Sequence, residues 1–366
     1  MMRPRAREKG VWFGSQPTGP KNMITDVPGV KVGHCTIIRG SGPLKPGYGP
    51  VRTGVTAILP HARNIYVEPV KASFCDFNGC GGLVSSLQIR EFGLIDTPII
   101  LTNTMSMAAA SEGVIKWLMK SNPGVGLDDD TIIPTISECD DSYLNDSRGL
   151  HVREEHVFAA IDGAKDSVEE GAVGAGTGMT CYDFKGGIGT ASRVVSIAEN
   201  KYTVGSLALT NHGEREELRI DGVPIGANIP PPEERRPEKG SIIMVVATDA
   251  PLDSRQLGRI AKRAILGLAV TGSASHNGSG DISIAFSTVN THSRKDNGHL
   301  ISDTILRDSV IDPLFRATAD CVTEAIVNSL FKAETVEGRD GHTSYALPID
   351  KTLELLKEHG RLLRST

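Results

Sequence analysis

The 366-residue sequence has no long hydrophobic run, no C-x-x-C cysteine pair and few aromatic residues. No apolar stretch approaches the roughly 20 residues that a membrane-spanning helix needs. No apolar stretch of the kind found in secretory signals follows the basic N-terminal residues MMRPRAREKG. The six cysteines are scattered, which argues against a zinc site or a disulfide framework. We therefore expect a cytoplasmic protein with free thiols and no membrane partner.

Basic patches and motifs for nucleotides or metals are also lacking. The formal net charge is −5 without a basic stripe, which argues against a nucleic-acid partner. The glycine-rich segment Gly171–Gly189 contains Lys185, but Gly186 follows where a phosphate-binding loop has Ser or Thr. No H-E-x-x-H or G-x-S-x-G motif occurs, so we expect no metal ion, no cofactor and no α/β-hydrolase triad. We interpret the glycine-rich segment as closely packed backbone near an active site.

The spacing of apolar residues predicts strands and helices in mixed order. Residues 1–22 are polar and rich in Pro and Gly, which favours an N-terminal arm, and the prolines of Asn228–Gly240 favour an exposed loop. The apolar, β-branched run that starts at Ser241 predicts a buried strand. The other predicted elements are a strand–turn–strand over Met23–Ile38, helices over Ser254–Val270 and Asp312–Lys332, and a strand over Asp281–Ser287. This order indicates a single layered α/β domain in which helices cover sheets.

Ser241 is the residue whose position first suggests chemistry. A serine hydroxyl is a poor nucleophile unless a base removes its proton. If the chain is cut between Gly240 and Ser241, the freed α-amine, with a pKa of roughly 7.7–8, can act as that base. Gly240 can adopt the strained geometry that such a cut needs, and the strand that follows would hold the new terminus. A plain junction between a loop and a strand fits the same residues, so both interpretations stay open here.

Three further polar residues fit a serine hydrolase. Ser279 and Asp281 are two positions apart in an extended segment, where both side chains can face one side and orient a nucleophile. Asn211 ends a predicted strand and could donate its side-chain NH₂ group to an oxyanion. A hairpin turn at Asn277–Gly278 and a loop-capping asparagine would explain these residues without catalysis.

Several long blocks together resemble the DmpA-type aminopeptidases, the family of L-aminopeptidase D-esterase/D-amidase and β-peptidyl aminopeptidases. They follow the order of the family and cover nearly the whole chain: Ile24–His34, Arg52–Pro60, Gly171–Arg193, the strand end with Asn211, Gly240–Leu252 and Asn277–Thr288. The resemblance implies a four-layer αββα sandwich of the DmpA/ornithine-acetyltransferase type. It also implies self-cleavage into an α-chain, Met1–Gly240, and a β-chain, Ser241–Thr366. The resulting heterodimers are then expected to form a homo-oligomer, often a tetramer.

The same resemblance implies an activity, namely the release of N-terminal amino acids from short peptides, amides or esters through an acyl-enzyme. Ser241 is then the nucleophile, Ser279 and Asp281 its supporting pair, and Asn211 part of the oxyanion hole. Glu138 then holds the free ammonium group of the substrate. A carboxylate suits that role because a charge-assisted hydrogen bond is strong and directional.

The sequence departs from the family pattern at two places. Two positions after Glu138 the family carries an aromatic residue associated with the oxyanion hole, whereas this chain has Asp140. A carboxylate there would repel an oxyanion, so we expect Asp140 to point away or Tyr143 to take the role. The NGNGE-type segment of the family appears as Asn78–Gly82 without the acid, so substrate preference is expected to differ.

Three alternatives to an aminopeptidase follow from the same residues. A hydrolase of non-peptide linear amides, such as nylon oligomers, would share this architecture. An acyltransferase of the ornithine acetyltransferase type uses a threonine nucleophile, and Ser241 argues against it. The departures at Asp140 and Gly82 are compatible with an unprocessed, non-enzymatic relative that only binds a ligand or partner.

Overall fold

The computed structural model of the chain describes residues 3–231, 240–296 and 298–362. Residues 232–239 of the predicted loop Asn228–Gly240 lie outside the described residues, as do residues 1–2 of the predicted arm. Among the residues described, no helix is both long enough and apolar enough to span a bilayer.

The described residues form α-helices and strands in mixed order, as predicted. The helices are α1 (Ser86–Phe92), α2 (Met107–Ser121), α3 (Glu154–Asp162), α4 (Ser254–Val270), α5 (Asp312–Lys332) and α6 (Ile349–Glu358). The strands of the first half are β1 (Lys31–Arg39), β2 (Val51–Leu59), β3 (Val70–Gly79), β4 (Leu94–Ile95), β5 (Ile99–Asn103), β6 (Thr135–Cys139), β7 (Thr180–Cys181) and β8 (Phe184–Lys185). Those of the second half are β9 (Gly187–Ile197), β10 (Asn200–Asn211), β11 (Arg219–Ile220), β12 (Val223–Pro224), β13 (Gly240–Thr248), β14 (Ser279–Ser287), β15 (Val336–Glu337) and β16 (Thr343–Ser344).

Two sheets and two helix layers make up the body of the molecule. One sheet has the strand order β1-β2-β5-β6, and the other has the order β4-β3-β14-β13-β10-β9. Helices α2 and α3 pack on the four-stranded sheet, and α4 and α5 pack on the six-stranded sheet. One hydrophobic core lies between the sheets and continues beneath α2 and α3, and a second lies beneath α4 and α5. This arrangement is the four-layer αββα sandwich predicted from the sequence.

The central strand β13 is apolar on both faces because both faces are covered. Ile243 and Val245 belong to the core between the sheets, whereas Ile242 and Met244 belong to the core beneath α4 and α5. A strand that is buried on both faces has a continuous run of apolar residues. This is why the strand could be predicted correctly from the sequence. β13 pairs with β10 in the antiparallel sense and with β14 in the parallel sense.

The predicted strand–turn–strand over Met23–Ile38 is half wrong. Ile24–Asp26 forms a 3₁₀ turn, and a strand, β1, begins only at Lys31. The Asp26 carboxylate accepts hydrogen bonds from the backbone N–H of Met23 at 3.1 Å and from the Ser192 hydroxyl at 2.6 Å. Such local bonds to an aspartate stabilise a turn in place of a strand ladder.

The N-terminal segment lies against the layer formed by α5. Ala6 and Phe13 are buried in the core beneath α4 and α5. The Arg7 guanidinium pairs with the Glu324 carboxylate at 2.8 Å, and the fully buried Arg193 pairs with the same carboxylate at 2.6 Å. These charge-assisted bonds hold the segment to the body of the protein.

Candidate active site

Ser241 lies near the start of β13, between two neighbouring strands. Its register partners are Asn211 on β10 and Gly280 on β14. The Ser241 hydroxyl donates to the carbonyl oxygen of Gly240 at 2.7 Å and accepts from the backbone N–H of Gly280 at 3.2 Å. The residue is only 5% exposed. The hydroxyl therefore lies directly beside the peptide group that self-cleavage would break.

Gly240 has no space for a side chain. A Cβ atom at this position would lie 2.9 Å from His212 Cα and 3.0 Å from the Asn211 carbonyl oxygen. Its φ angle is outside the left-handed region, so the backbone there is not one that only glycine tolerates. In the uncut chain, the close approach of the residues at the end of β10 is thus what leaves room only for glycine.

Ser279 and Asp281 form a hydrogen-bonded pair, as the sequence predicted. The Ser279 hydroxyl donates to Asp281 Oδ1 at 2.6 Å. Burial raises the pKa of the Asp281 carboxyl, and its second oxygen has no hydrogen-bond partner within the described ranges. Ser279 is the register partner of Gly240, so the pair lies beside the Gly240–Ser241 backbone.

The pair and the Ser241 hydroxyl lie on opposite faces of the sheet. Asp281 is the register partner of Ile242, whose side chain belongs to the core beneath α4 and α5. Ser241 is two residues before Ile243 and so faces the space between the sheets. The pair therefore lies beside the backbone at Ser241 and across the sheet from its hydroxyl.

Asn211 has its side-chain amide held from two sides. Its Oδ1 accepts from the backbone N–H of Thr180 at 2.9 Å, and its Nδ2 donates to the carbonyl oxygen of Asp140 at 2.8 Å. Because one partner is a donor and the other an acceptor, the two ends of the amide cannot be exchanged. The NH₂ group is thereby fixed on the strand beside Ser241.

Glu138 presents a buried carboxylate at the end of β6. Oε1 accepts from the backbone N–H of Gly82 at 2.9 Å, and Oε2 accepts from the Thr104 hydroxyl. No ion pair involves Glu138 within the part of the chain that the structure describes. Burial raises the pKa of its carboxyl, and the negative charge of Asp140 raises it further. A buried carboxylate of this kind favours a cationic partner.

The segment Asn78–Gly82 lies at the same site, where the four-stranded sheet and the six-stranded sheet meet. A Cβ at Gly81 would lie 3.3 Å from Gly280 Cα and 3.4 Å from Glu138 Oε1, so the Gly81 backbone lies close to both Glu138 and β14. Asn78 Nδ2 donates to the carbonyl oxygens of Ser275 and His276 at 3.1 and 2.7 Å. Asn78 therefore supports the turn before β14 and holds that turn to β3.

The position that lacks the acid, Gly82, is enclosed by a methionine. A Cβ there would lie 2.9 Å from both Sδ and Cε of Met107. Any side chain at residue 82 would therefore displace the thioether of Met107.

Asp140 and Tyr143 differ in where they point. Asp140 Oδ1 accepts from the backbone N–H of Ser142 at 2.8 Å, which closes a local turn. The Tyr143 ring stacks on His342, with 4.7 Å between ring centroids. Tyr143 also lines a cavity of about 600 Å³ together with Phe184. The structure thus gives Tyr143 a stacking partner, and its role in the oxyanion hole stays a prediction.

A comparison of the sequence with protein-family models identifies the chain. The model of peptidase family S58 matches residues 22–344. This chain belongs to peptidase family S58. Membership of a peptidase family confirms the prediction of a hydrolase.

Relatives of the S58 chain are similar over nearly its whole length. A β-peptidyl aminopeptidase of Sphingosinicella microcystinivorans is 41% identical over 376 residues, which cover 98% of this chain and 93% of the relative. The corresponding protein of Sphingosinicella xenopeptidilytica is 40% identical, with 97% of this chain and 91% of the relative covered.

Solved structures agree with the S58 assignment. The PH0078 protein of Pyrococcus horikoshii superimposes with a TM-score of 0.94 at 53% identity, covering 98% of this chain and 100% of that one. The L-aminopeptidase D-Ala-esterase/amidase of Ochrobactrum anthropi, described as a variant of the Ntn-hydrolase fold, superimposes with a TM-score of 0.92 at 38% identity. The superposition covers 99% of this chain and 100% of the Ochrobactrum anthropi chain. These likenesses confirm the predicted fold class and family.

Three residues of this S58 site were not identified from the sequence. Gly280 donates to the Ser241 hydroxyl, Thr104 donates to Glu138, and Thr180 holds Asn211. Gly280 could have been found, since it lies between Ser279 and Asp281. Thr104 and Thr180 act through contacts between distant segments, for which the sequence carries no signal.

Proposed function

We propose that this chain is a self-processing aminopeptidase that uses Ser241 as its nucleophile. The observation that carries the proposal is the hydrogen bond of 2.7 Å between the Ser241 hydroxyl and the Gly240 carbonyl oxygen. It places a serine oxygen beside the one peptide group whose cleavage would free an α-amine on the same residue. The two neighbouring strands supply Asn211 and the Gly280 N–H to the same spot.

Processing begins with attack of Ser241 Oγ on the carbonyl carbon of Gly240. The C–N bond to Ser241 breaks, the nitrogen takes up the hydroxyl proton, and an ester joins Gly240 to Ser241 Oγ. Water then hydrolyses the ester and leaves a carboxylate on Gly240 and a free α-amine and hydroxyl on Ser241. The α-chain, residues 1–240, and the β-chain, residues 241–366, remain associated through the sheet because β13 stays paired with β10 and β14 stays paired with β3.

Substrate hydrolysis uses the new α-amine as the base. The neutral amine takes the Ser241 hydroxyl proton as Oγ attacks the carbonyl carbon of the substrate. Asn211 Nδ2 lies beside the oxyanion that forms, and the proton passes to the departing amine or alcohol. Water then attacks the acyl-enzyme. The Ser279 hydroxyl donates to Asp281, so its lone pairs are directed to accept from the α-ammonium of Ser241.

Glu138 explains why a free N-terminus is required. Its carboxylate is buried, lies across Gly81 from β14, and forms no ion pair with any described residue. An ammonium group bound there places the carbonyl carbon of the same residue near Ser241. The proposed substrates are therefore short peptides, amides or esters with a free amino end, and similarity to the β-peptidyl aminopeptidases extends the class to β-amino acids.

The assembly we propose is a homotetramer of αβ heterodimers. Large apolar side chains on α1 support a protein partner, since Leu87 is 73% exposed and Phe92 is 70% exposed. The six free cysteines support a reducing compartment such as the cytoplasm. Light scattering of the processed protein tests the assembly, and a monomeric mass would contradict it.

Intact-mass analysis tests the processing step. Wild-type protein is expected to give two chains that join at 240/241, and Ser241→Ala a single chain. Ser283→Ala is the matched control, because Ser283 is a buried serine on the adjacent strand that bonds only to Ala261 of α4 among the described residues. Cleavage of Ser241→Ala at the same bond would refute the mechanism.

Activity is tested with aminoacyl-p-nitroanilides in free and N-acetylated form. The free compounds are expected to be hydrolysed and the acetylated ones to be resistant, because acetylation removes the charge that Glu138 binds. Equal turnover of both forms would remove that role from Glu138.

A further inference from the structure

The proposed substrate site contains two carboxylates and only one assigned cation. Glu138 and Asp140 are two residues apart, and neither forms an ion pair with any residue in the described ranges. The two groups are close enough for the charge of Asp140 to raise the pKa of Glu138. The α-ammonium of a substrate would neutralise one of them and leave the other unpaired.

The main chain of Asp140 connects the proposed ammonium site to Asn211, the neighbour of the nucleophile. Its own carbonyl oxygen accepts from Asn211 Nδ2 at 2.8 Å, and Asn211 is the register partner of Ser241. Along the chain it follows Glu138 by two residues. The N-terminal residue of a substrate, with its ammonium at Glu138 and its carbonyl at Ser241, therefore lies alongside Asp140.

One oxygen of Asp140 is occupied and the other is not. Oδ1 accepts from the backbone N–H of Ser142, whereas Oδ2 has no hydrogen bond from the residues that the structure describes. An unpaired charge at this position would also repel the oxyanion formed during hydrolysis, at a cost that increases as water is excluded. A second positive charge on the substrate removes both penalties.

We propose that Asp140 is a specificity-determining residue that selects N-terminal residues with a second positive charge on the side chain, the lysine and ornithine class. The inference rests on the proposed function. The flexible methylene stem of such a side chain lets its ammonium reach Oδ2 while the α-ammonium stays on Glu138. Substrates with a neutral side chain of equal length bind without this pairing.

The Asp140→Asn variant tests the negative charge of Asp140 without removing the turn that its side chain closes. The asparagine Oδ1 still accepts from Ser142, so the local structure is preserved while the negative charge is removed. We expect wild-type enzyme to prefer lysyl-p-nitroanilide over norleucyl-p-nitroanilide, and Asp140→Asn to reduce this ratio of kcat/KM at least tenfold. The change is expected mainly in KM for the lysyl substrate, because its ammonium is bound before reaction as well as during it.

The norleucyl substrate supplies the readout that a purely structural role would not give. Its kcat is expected to rise in Asp140→Asn, since the charge that repels the oxyanion has gone. The lower of the two acid limbs of its kcat/KM profile, which Glu138 sets below the limb of the Ser241 α-amine, is expected to move to lower pH, since Asp140 no longer raises the pKa of Glu138. Asp350→Asn, at an exposed site on α6, is the control and leaves both substrates unchanged.

Two outcomes would overturn the inference in different ways. If the wild type hydrolyses the norleucyl substrate at least as well as the lysyl one, Asp140 does not select for a charged side chain. The same conclusion follows if Asp140→Asn lowers kcat/KM equally for both substrates. If wild-type protein processes itself but hydrolyses neither compound, the proposed aminopeptidase function fails and this inference with it.

Discussion

Gly240→Ala is expected to slow cleavage of the Gly240–Ser241 bond without unfolding the protein. The new methyl group would lie 2.9 Å from His212 Cα and 3.0 Å from the Asn211 carbonyl oxygen. Both contacts are to backbone atoms, at the last residue of β10 and the residue after it, and backbone cannot rotate away as a side chain can. The start of β13 must therefore shift, and with it the carbonyl that the Ser241 hydroxyl contacts at 2.7 Å.

The size of the effect follows from the cost of the clash. Forcing one extra methyl group into a closely packed site costs about 1–3 kcal/mol. If that strain must be relieved whenever the reactive geometry forms, cleavage slows by about 5- to 150-fold, since each 1.4 kcal/mol corresponds to a factor of ten.

A denaturing gel followed over time measures the rate at which the full-length chain becomes two fragments. Gly278→Ala is the matched control, because a Cβ at Gly278 would have no atom within 4 Å although the residue lies just before β14. Cleavage of Gly240→Ala at the rate of wild type and Gly278→Ala would show that the space beside β10 does not govern processing.

Three further outcomes are expected. Protonation of the Ser241 α-amine sets a first acid limb of kcat/KM, and protonation of Glu138 sets a second at lower pH. Burial raises the pKa of Glu138, so this second limb is expected above the pH of an ordinary glutamate, and a second limb at the ordinary value would contradict this. Lys185→Met leaves three buried carbonyl oxygens without their ammonium donor, so urea denaturation should show a loss of at least about 3 kcal/mol, against less than about 0.5 kcal/mol for the exposed Lys351→Met. Cys80 is exposed beside the Gly81 backbone, so iodoacetamide should inactivate the enzyme, and an equally sensitive Cys80→Ser variant would place the modified thiol elsewhere.

Regular elements were the part of the fold that could be predicted from the sequence. The helix over Ser254–Val270 has the predicted bounds because an apolar face repeats along it and Asp253 caps its first turn, accepting from Gln256 N–H at 2.6 Å. The strand at Ser241 was predicted because both of its faces are buried. The 3₁₀ turn at Ile24–Asp26 was missed because hydrogen bonds of the Asp26 side chain outweigh the apolar pattern.

The candidate site was predicted as a set of residues but not as an arrangement. Ser279 and Asp281 were expected to support the nucleophile, and only the parallel register of β13 and β14 shows that they lie beside the Gly240–Ser241 backbone. The sequence could not show that the Tyr143 ring stacks on His342, which lies 199 residues further along the chain.

The sequence by itself determined the family, the layered fold and the identity of the proposed nucleophile, since these depend on local apolar patterns and on motifs in a set order. Tertiary structure alone decided why residue 240 is glycine, which atoms surround the serine, and that Glu138 and Asp140 remain without a cation within the described ranges. The physical reason is that these features are distances between segments far apart in the chain. Hydrophobic patterns specify which face of each element is buried, but only the assembled sheets fix which polar atoms meet at their edge.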